Sequence, residues 1–166
     1  TAFGDSAIAS GNASTAMGSY TIASGAASTA IGGRTIASNS FSTAMGYITT
    51  ASGIYSTAMG YITTASGDVS TAMGNGTTAS GDYSTAMGYI TTARSFAETS
   101  IGVNNEDYTP ESTTDWAGND RLFQVGNGEP FGIPSNALTI LKNGNVGIGT
   151  TTPTATLDID GSIRFR

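Results

Sequence analysis

Hydroxyl side chains run through all 166 residues, but the sequence supplies almost nothing that could activate them. A Ser or Thr becomes a nucleophile only beside a group that takes its proton. There is no His and no Cys, and Lys142 is the single lysine, so imidazole, thiolate and zinc-cluster chemistry have no residues to work with. Five acids, Glu106, Asp107, Glu111, Asp115 and Asp120, crowd one stretch, but their spacing is not that of a calcium-binding EF-hand loop. They read as a solvated acidic connector. Neither Gly126-x-Gly128 nor Gly147-x-Gly149 is followed by a helical pattern, so neither makes a phosphate-binding loop. The expectation is a non-enzyme with no catalytic residue, cofactor or metal. A net charge of −6 with only six cations also argues against nucleic acid as a partner. No apolar span is long enough for this segment to insert into a membrane.

Recognition chemistry is what remains, and it lies in two aromatic rows. Tyr47, Tyr61 and Tyr89 recur at one spacing, with Ile48, Ile62 and Ile90 beside them; Phe41, Tyr55 and Tyr83 recur at another. Exposed Tyr offers rigid contact area with an apolar body and a polar tip, which suits adhesion. The same rows could equally be packing, along the chain or across a seam between chains. Both readings stay open here, with Tyr47, Tyr61, Tyr89, Tyr55, Tyr83 and Phe41 as the candidate adhesive surface.

What sets that spacing is an internal repeat. Fourteen residues recur eight times, starting at Thr1, Thr15, Thr29, Thr43, Thr57, Thr71, Thr85 and Thr99. Position four is always Gly, from Gly4 to Gly102, and position three is always large and apolar: Phe3, Met17, Ile31, Met45, Met59, Met73, Met87 and Ile101. Position eleven is Gly except at Asn39 and Ser95, and Asn39 is read as holding a left-handed turn. Two glycines per copy, each costing a helix ~1 kcal/mol against Ala, exclude helix, and the pattern lacks the paired apolar positions of a coiled coil. Two short strands joined by glycine turns fit, one solenoid coil per copy. At ~4.8 Å per coil, eight coils form a rod of roughly 35–40 Å. Adjacent threonines such as Thr49 and Thr50 must face opposite ways, so they make no two-column outward array. Taking the Met row as the buried content of each coil, the interior is too thin to offset the ordering of fourteen residues. A homo-oligomer, most readily a trimer, is therefore expected.

The run Tyr55-Ser56-Thr57-Ala58-Met59-Gly60, repeated in register, resembles the head repeat of trimeric autotransporter adhesins, the YadA-like head. The resemblance covers residues 1–102. It implies a left-handed parallel β-roll, three rolls side by side, acting as an adhesive tip outside a bacterial cell. The implied partners are a host or prey surface protein or glycan. The alternatives are a purely structural spacer, or a tail fibre of a phage or contractile injection particle.

Three segments are expected: a β-roll over 1–102, an acidic polar connector over 103–120, and a β-hairpin fibre segment over 121–166. In the last, Ala137–Lys142 meets the hairpin signal Asn143-Gly144, and Leu157–Ile159 is expected to turn at Asp160-Gly161 into a strand at 162–165. Residues 141–161 are similar to a segment of phage-type tail fibres and large bacterial surface proteins that precedes a self-cleaving chaperone. Thr1 opens at the first position of a coil, which reads as a boundary inside a longer fibre.

Overall fold

The computed structural model describes residues 1–164, all-β, with no helix among them. Each repeat is one coil of a parallel β-solenoid. The long strands are Ala2–Phe3, Thr15–Ser19, Thr29–Gly33, Thr43–Tyr47, Thr57–Tyr61, Thr71–Asn75, Thr85–Tyr89 and Thr99–Val103. Between them run two-residue strands: Ile8–Ala9, Ile22–Ala23, Ile36–Ala37, Thr50–Ala51, Thr64–Ala65, Thr78–Ala79 and Thr92–Ala93. Long strands stack into one sheet and short strands into the other, each residue pairing with its equivalent fourteen residues on, as in Met59↔Met73 and Thr64↔Thr78. A period that never varies leaves the ladder a single register, because a slip would turn every inward side chain out.

The interior is not where the Met row suggested. Strand alternation places Ala58 and Met59 on opposite faces, and it is Ala58 that points inward. Ser56, Ala58, Thr63 and Ala65 are all fully buried, and their equivalents form four parallel rows along the axis. The core cluster is twelve alanines, Ala16 to Ala93. Met17, Met45, Met73 and Met87 are 36–42% exposed on the outer face of the long sheet. The expected Met core is therefore replaced by Ala, Ser and Thr, since two sheets joined by turns this short enclose room only for small side chains. Thr49 is buried and Thr50 half-buried, as strand alternation requires.

The turns also differ from expectation. Left-handed backbone falls at position six (Ile48, Ile62, Ile90) and position thirteen (Phe41, Tyr55, Val69, Tyr83), and Asn39 is not among the left-handed residues. Bulky residues tolerate this costly region because each turn stacks on the last: Ile62 N–H donates to Tyr47 O at 2.9 Å and Val69 N–H to Ile54 O at 2.7 Å. Gly60 is needed for two reasons, φ of +124° and a Cβ that would fall 2.0 Å from Gly74 O. Position eleven needs Gly only for proximity: a Cβ on Gly53 would lie 2.0 Å from Gly67 O. Asn39, at the same position, turns its side chain onto the next coil, donating to Ser52 O at 3.2 Å.

Past Val103 the chain leaves the roll and returns at Arg121–Asn127, which pairs parallel with Thr99–Val103 and adds a rung to the long sheet. Asn136–Leu141 then runs antiparallel to it, and Val146–Ile148 closes the Asn143-Gly144 hairpin. Leu157–Ile159 pairs parallel with Val146–Ile148, not as half of a second hairpin. Residues 162–164 form no strand, and Phe165 of that expected strand lies outside the described residues.

Sequence changes in the seventh and eighth coils build a plug. Ser100 continues an alanine row, and Gln124 pairs with it as the largest fully buried side chain. Gln124 Nε2 reaches Glu98 Oε1 at 2.5 Å and Ser100 Oγ at 2.7 Å, while its Oε1 accepts from Asn136 Nδ2 at 2.7 Å and Arg121 Nη1 at 3.0 Å. Glu98 Oε2 accepts the Arg94 and Ser95 backbone N–H groups, both at 2.8 Å. Polar side chains thus satisfy one another where the solenoid would otherwise end on open rows. Asp120, expected in a solvated connector, is buried: its carboxylate accepts the N–H groups of Glu111 and Ser112 at 2.7 and 3.0 Å. Glu106, Asp107, Glu111 and Asp115 are exposed.

Candidate functional site: the aromatic rows at the coil tips

Each aromatic row exists because a position of the repeat becomes a line once coils stack in register. Tyr47, Tyr61 and Tyr89 close the long strands at position five. Phe41, Tyr55 and Tyr83 occupy position thirteen, in the turn that leads from the short sheet back to the long one. The six candidate residues therefore divide between opposite edges of the roll.

On the first edge Tyr47 and Tyr61 stack, with ring centroids 5.8 Å apart and planes 13° off parallel. Asn75 interrupts the row, and Tyr89 meets Phe131 edge-on at 5.6 Å instead. Tyr47 and Tyr61 are 44% and 47% exposed, Tyr89 less so. On the second edge Phe41 and Tyr55 stack at 4.7 Å and 6°, and both remain more than half exposed. Val69 separates them from Tyr83, which meets Phe96 edge-on at 5.4 Å.

The second edge carries the only acids of the middle coils, and they serve the backbone. Asp68 Oδ1 accepts Ile54 N–H and Asp82 Oδ1 accepts Asp68 N–H, each at 2.8 Å. The first edge has no charged group from Tyr47 to Ile90. Both edges thus present aromatic surface with little charge, on a backbone whose hydrogen bonds are spent on neighbouring coils. Such surface can bind by apolar and stacking contact with hydrogen bonds from Tyr hydroxyls.

Sequence reasoning passed over Phe96 and Phe131. Phe96 falls at position twelve, one place off the row, and Phe131 comes from a loop 42 residues beyond Tyr89. No periodicity marks either one.

Chemistry of other kinds is spent on structure. Ser95 Oγ and Lys142 Nζ do meet, at 3.1 Å, although their separation in sequence hid it. Ser95 is fully buried and its hydroxyl donates to Arg121 O at 2.7 Å, so no substrate reaches it. Burial pulls the Lys142 ammonium below its usual range, against the Asp120 carboxylate 4.0 Å away. A shallow groove beside the plug is lined by Tyr108, Arg121, Leu141 and Pro153. Its cation is already engaged, since Arg121 bonds Glu106 O and Gln124 and lies 4.1 Å above the Tyr108 ring. Burial lowers the Arg121 guanidinium and raises the Tyr108 hydroxyl relative to their ordinary ranges. Among the described residues no three acidic side chains gather in a way that would hold a metal ion, and no helix is long and apolar enough to cross a membrane.

No curated protein matches the chain. The profile of the YadA head domain repeat, which spans two copies of the repeat, matches residues 1–21, 23–47, 51–75 and 65–89. Those stretches hold every candidate residue and take in just over half of the sequence; residues 90–166 fall outside them. With its fourteen-residue coils, invariant position-four glycines and matched repeats, the chain belongs to the YadA head domain repeat family.

Proposed function

We propose that the chain is the adhesive part of an extracellular fibre at a bacterial surface, assembled from three copies. Heads of this family are trimeric adhesin domains, and a trimer gives the outward Met row of the long sheet something to pack against. The observation that carries the adhesive reading is the pair of exposed, nearly uncharged aromatic edges on a rigid in-register backbone. Three copies of each edge on one particle convert a weak contact with a surface protein or glycan into firm attachment.

The test is binding of the isolated assembly to cells and to immobilised glycans and matrix proteins, compared with a Tyr47→Ser/Tyr61→Ser variant and a Phe41→Ser/Tyr55→Ser variant. Loss of attachment with either, at unchanged circular dichroism and native mass, supports the reading. The ring stacking within one chain favours a second reading, a spacer whose rows only pack. A wild-type assembly that attaches to none of these targets would support the spacer, and full attachment by both variants would move adhesion away from the aromatic rows.

A further inference from the structure

Phe131 and Ile133 are 86% and 80% exposed, the two most exposed large apolar side chains among the described residues. They form the tip of the loop 128–135, between the strands Arg121–Asn127 and Asn136–Leu141. Exposure of this kind ordinarily goes with slack, but here the loop is held. Asn104 Nδ2 donates to Glu129 O at 2.7 Å and to Gly132 O at 3.3 Å. Gly132 N–H donates to Glu129 O at 3.0 Å, Glu129 N–H to Ile133 O at 3.3 Å, and Gly128 N–H to Val103 O at 3.0 Å. Pro130 and Pro134 flank the two apolar residues and restrict the chain on either side. Phe131 itself sits at φ 60°, a region that costs a bulky residue free energy. A strained, well-anchored tip bearing two bare apolar side chains is preorganised for a contact that the single chain lacks.

We infer that this loop is a clasp whose occupant is a second copy of the same chain; the inference rests on the trimeric reading above and adds the element that locks it. Position supports the choice of occupant. The strand feeding the loop is a rung of the long sheet, Val103 pairing with Asn127, and the Phe131 ring touches Tyr89 at the edge of that sheet. The tip therefore continues the surface that carries Met45, Met73 and Met87. Charge supports it too. From Thr15 to Ile101, positions one and three of the coils hold only Thr, Met and Ile, so a neighbouring copy receives an apolar tip without desolvating a charge. A lipid surface fits worse: the exposed Glu129 stands beside the tip and the loop holds no cation.

Because the protein has no cysteine, a Phe131→Cys variant carries a single thiol for maleimide labelling of the full chain, with Ser66→Cys on the exposed short-sheet face as reference. The expected result is labelling at Phe131→Cys about tenfold or more slower than at Ser66→Cys in the native assembly, equalised after dissociation in denaturant. Phe131→Ser/Ile133→Ser should raise the concentration at which the assembly dissociates by about tenfold or more, with the far-ultraviolet spectrum unchanged. A wild-type assembly of three with equal labelling at both sites, or with undiminished affinity in the double variant, overturns the clasp and leaves the trimer standing. A wild-type monomer overturns the trimeric reading itself. Protection that appears only on adding phosphatidylcholine–phosphatidylglycerol vesicles makes lipid the occupant and overturns the clasp.

Discussion

Replacing Thr63 by Val removes one hydroxyl from the middle of the roll and changes little else. Thr63 is fully buried and its Oγ1 has no hydrogen-bond partner, a condition shared with Thr21, Thr35, Thr49, Thr77 and Thr91 in the same row. An unpartnered buried hydroxyl costs about 1–3 kcal/mol of desolvation that nothing returns. Thr and Val are both β-branched, so side-chain entropy and strand preference cancel in the comparison. Thr63→Val is therefore expected to stabilise the roll by about 1 kcal/mol, the low end of that range because a rotated hydroxyl recovers part of the cost. For a chain of this size that is about 2–4 °C in Tm. Ser70→Ala is the matched control with the opposite sign. Its Oγ is equally buried but donates to Gly67 O at 2.6 Å, so losing it should cost about 1 kcal/mol. Guanidinium denaturation of both variants at one fixed protein concentration reads the two signs, concentration being held because assembly contributes to apparent stability. Destabilisation by Thr63→Val of about 1 kcal/mol or more would mean that the hydroxyl row is hydrogen-bonded in solution, and would refute the reasoning from unpartnered Thr.

Gly60→Ala should disrupt the stacking of the fifth coil on the sixth, because its Cβ would stand 2.0 Å from the rigid Gly74 carbonyl oxygen. Gly144→Ala meets nothing within 4 Å and should cost only the strain of its φ of +95°, about 1–2 kcal/mol. Thermal melts of the pair check this, and a Gly60→Ala roll as stable as Gly144→Ala would contradict it. Burial pushes the Glu98 carboxyl above its ordinary value of 4.5, with the Ser95 and Arg94 N–H groups pulling the other way. A folded-state value above the unfolded one means that the native plug holds the proton longer, so its stability falls as pH rises above 4.5. Hydrogen exchange at the Arg94 and Ser95 amides, corrected for intrinsic rates, should lose protection across that window; protection that grew with pH would reverse the sign.

Much of this fold is legible in the sequence, because a strict fourteen-residue period is itself a statement about which residues touch. Gly4 through Gly102 recur at one place only if each coil repeats the last, and the pairing of Met59 with Met73 follows from the count. The aromatic rows were legible for the same reason. What misled was size: a large apolar residue at position three looked like core, whereas the pleat and the narrow interior gave that role to Ala58 and Ala65. Departures from the period were harder still. Ser95, Glu98 and Ser100 break the repeat, and nothing in the period says that with Gln124 they form its plug.

By itself the sequence determined the coil, its length and the residues that form rows, since periodicity converts local order along the chain into neighbours across it. Only the tertiary structure decided which rows face inward. It alone placed Phe131 against Tyr89 and brought Lys142 to Ser95 across 47 residues. Those contacts join segments that share no period, and their geometry comes from how Arg121–Asn127 re-enters the long sheet, which no local pattern encodes.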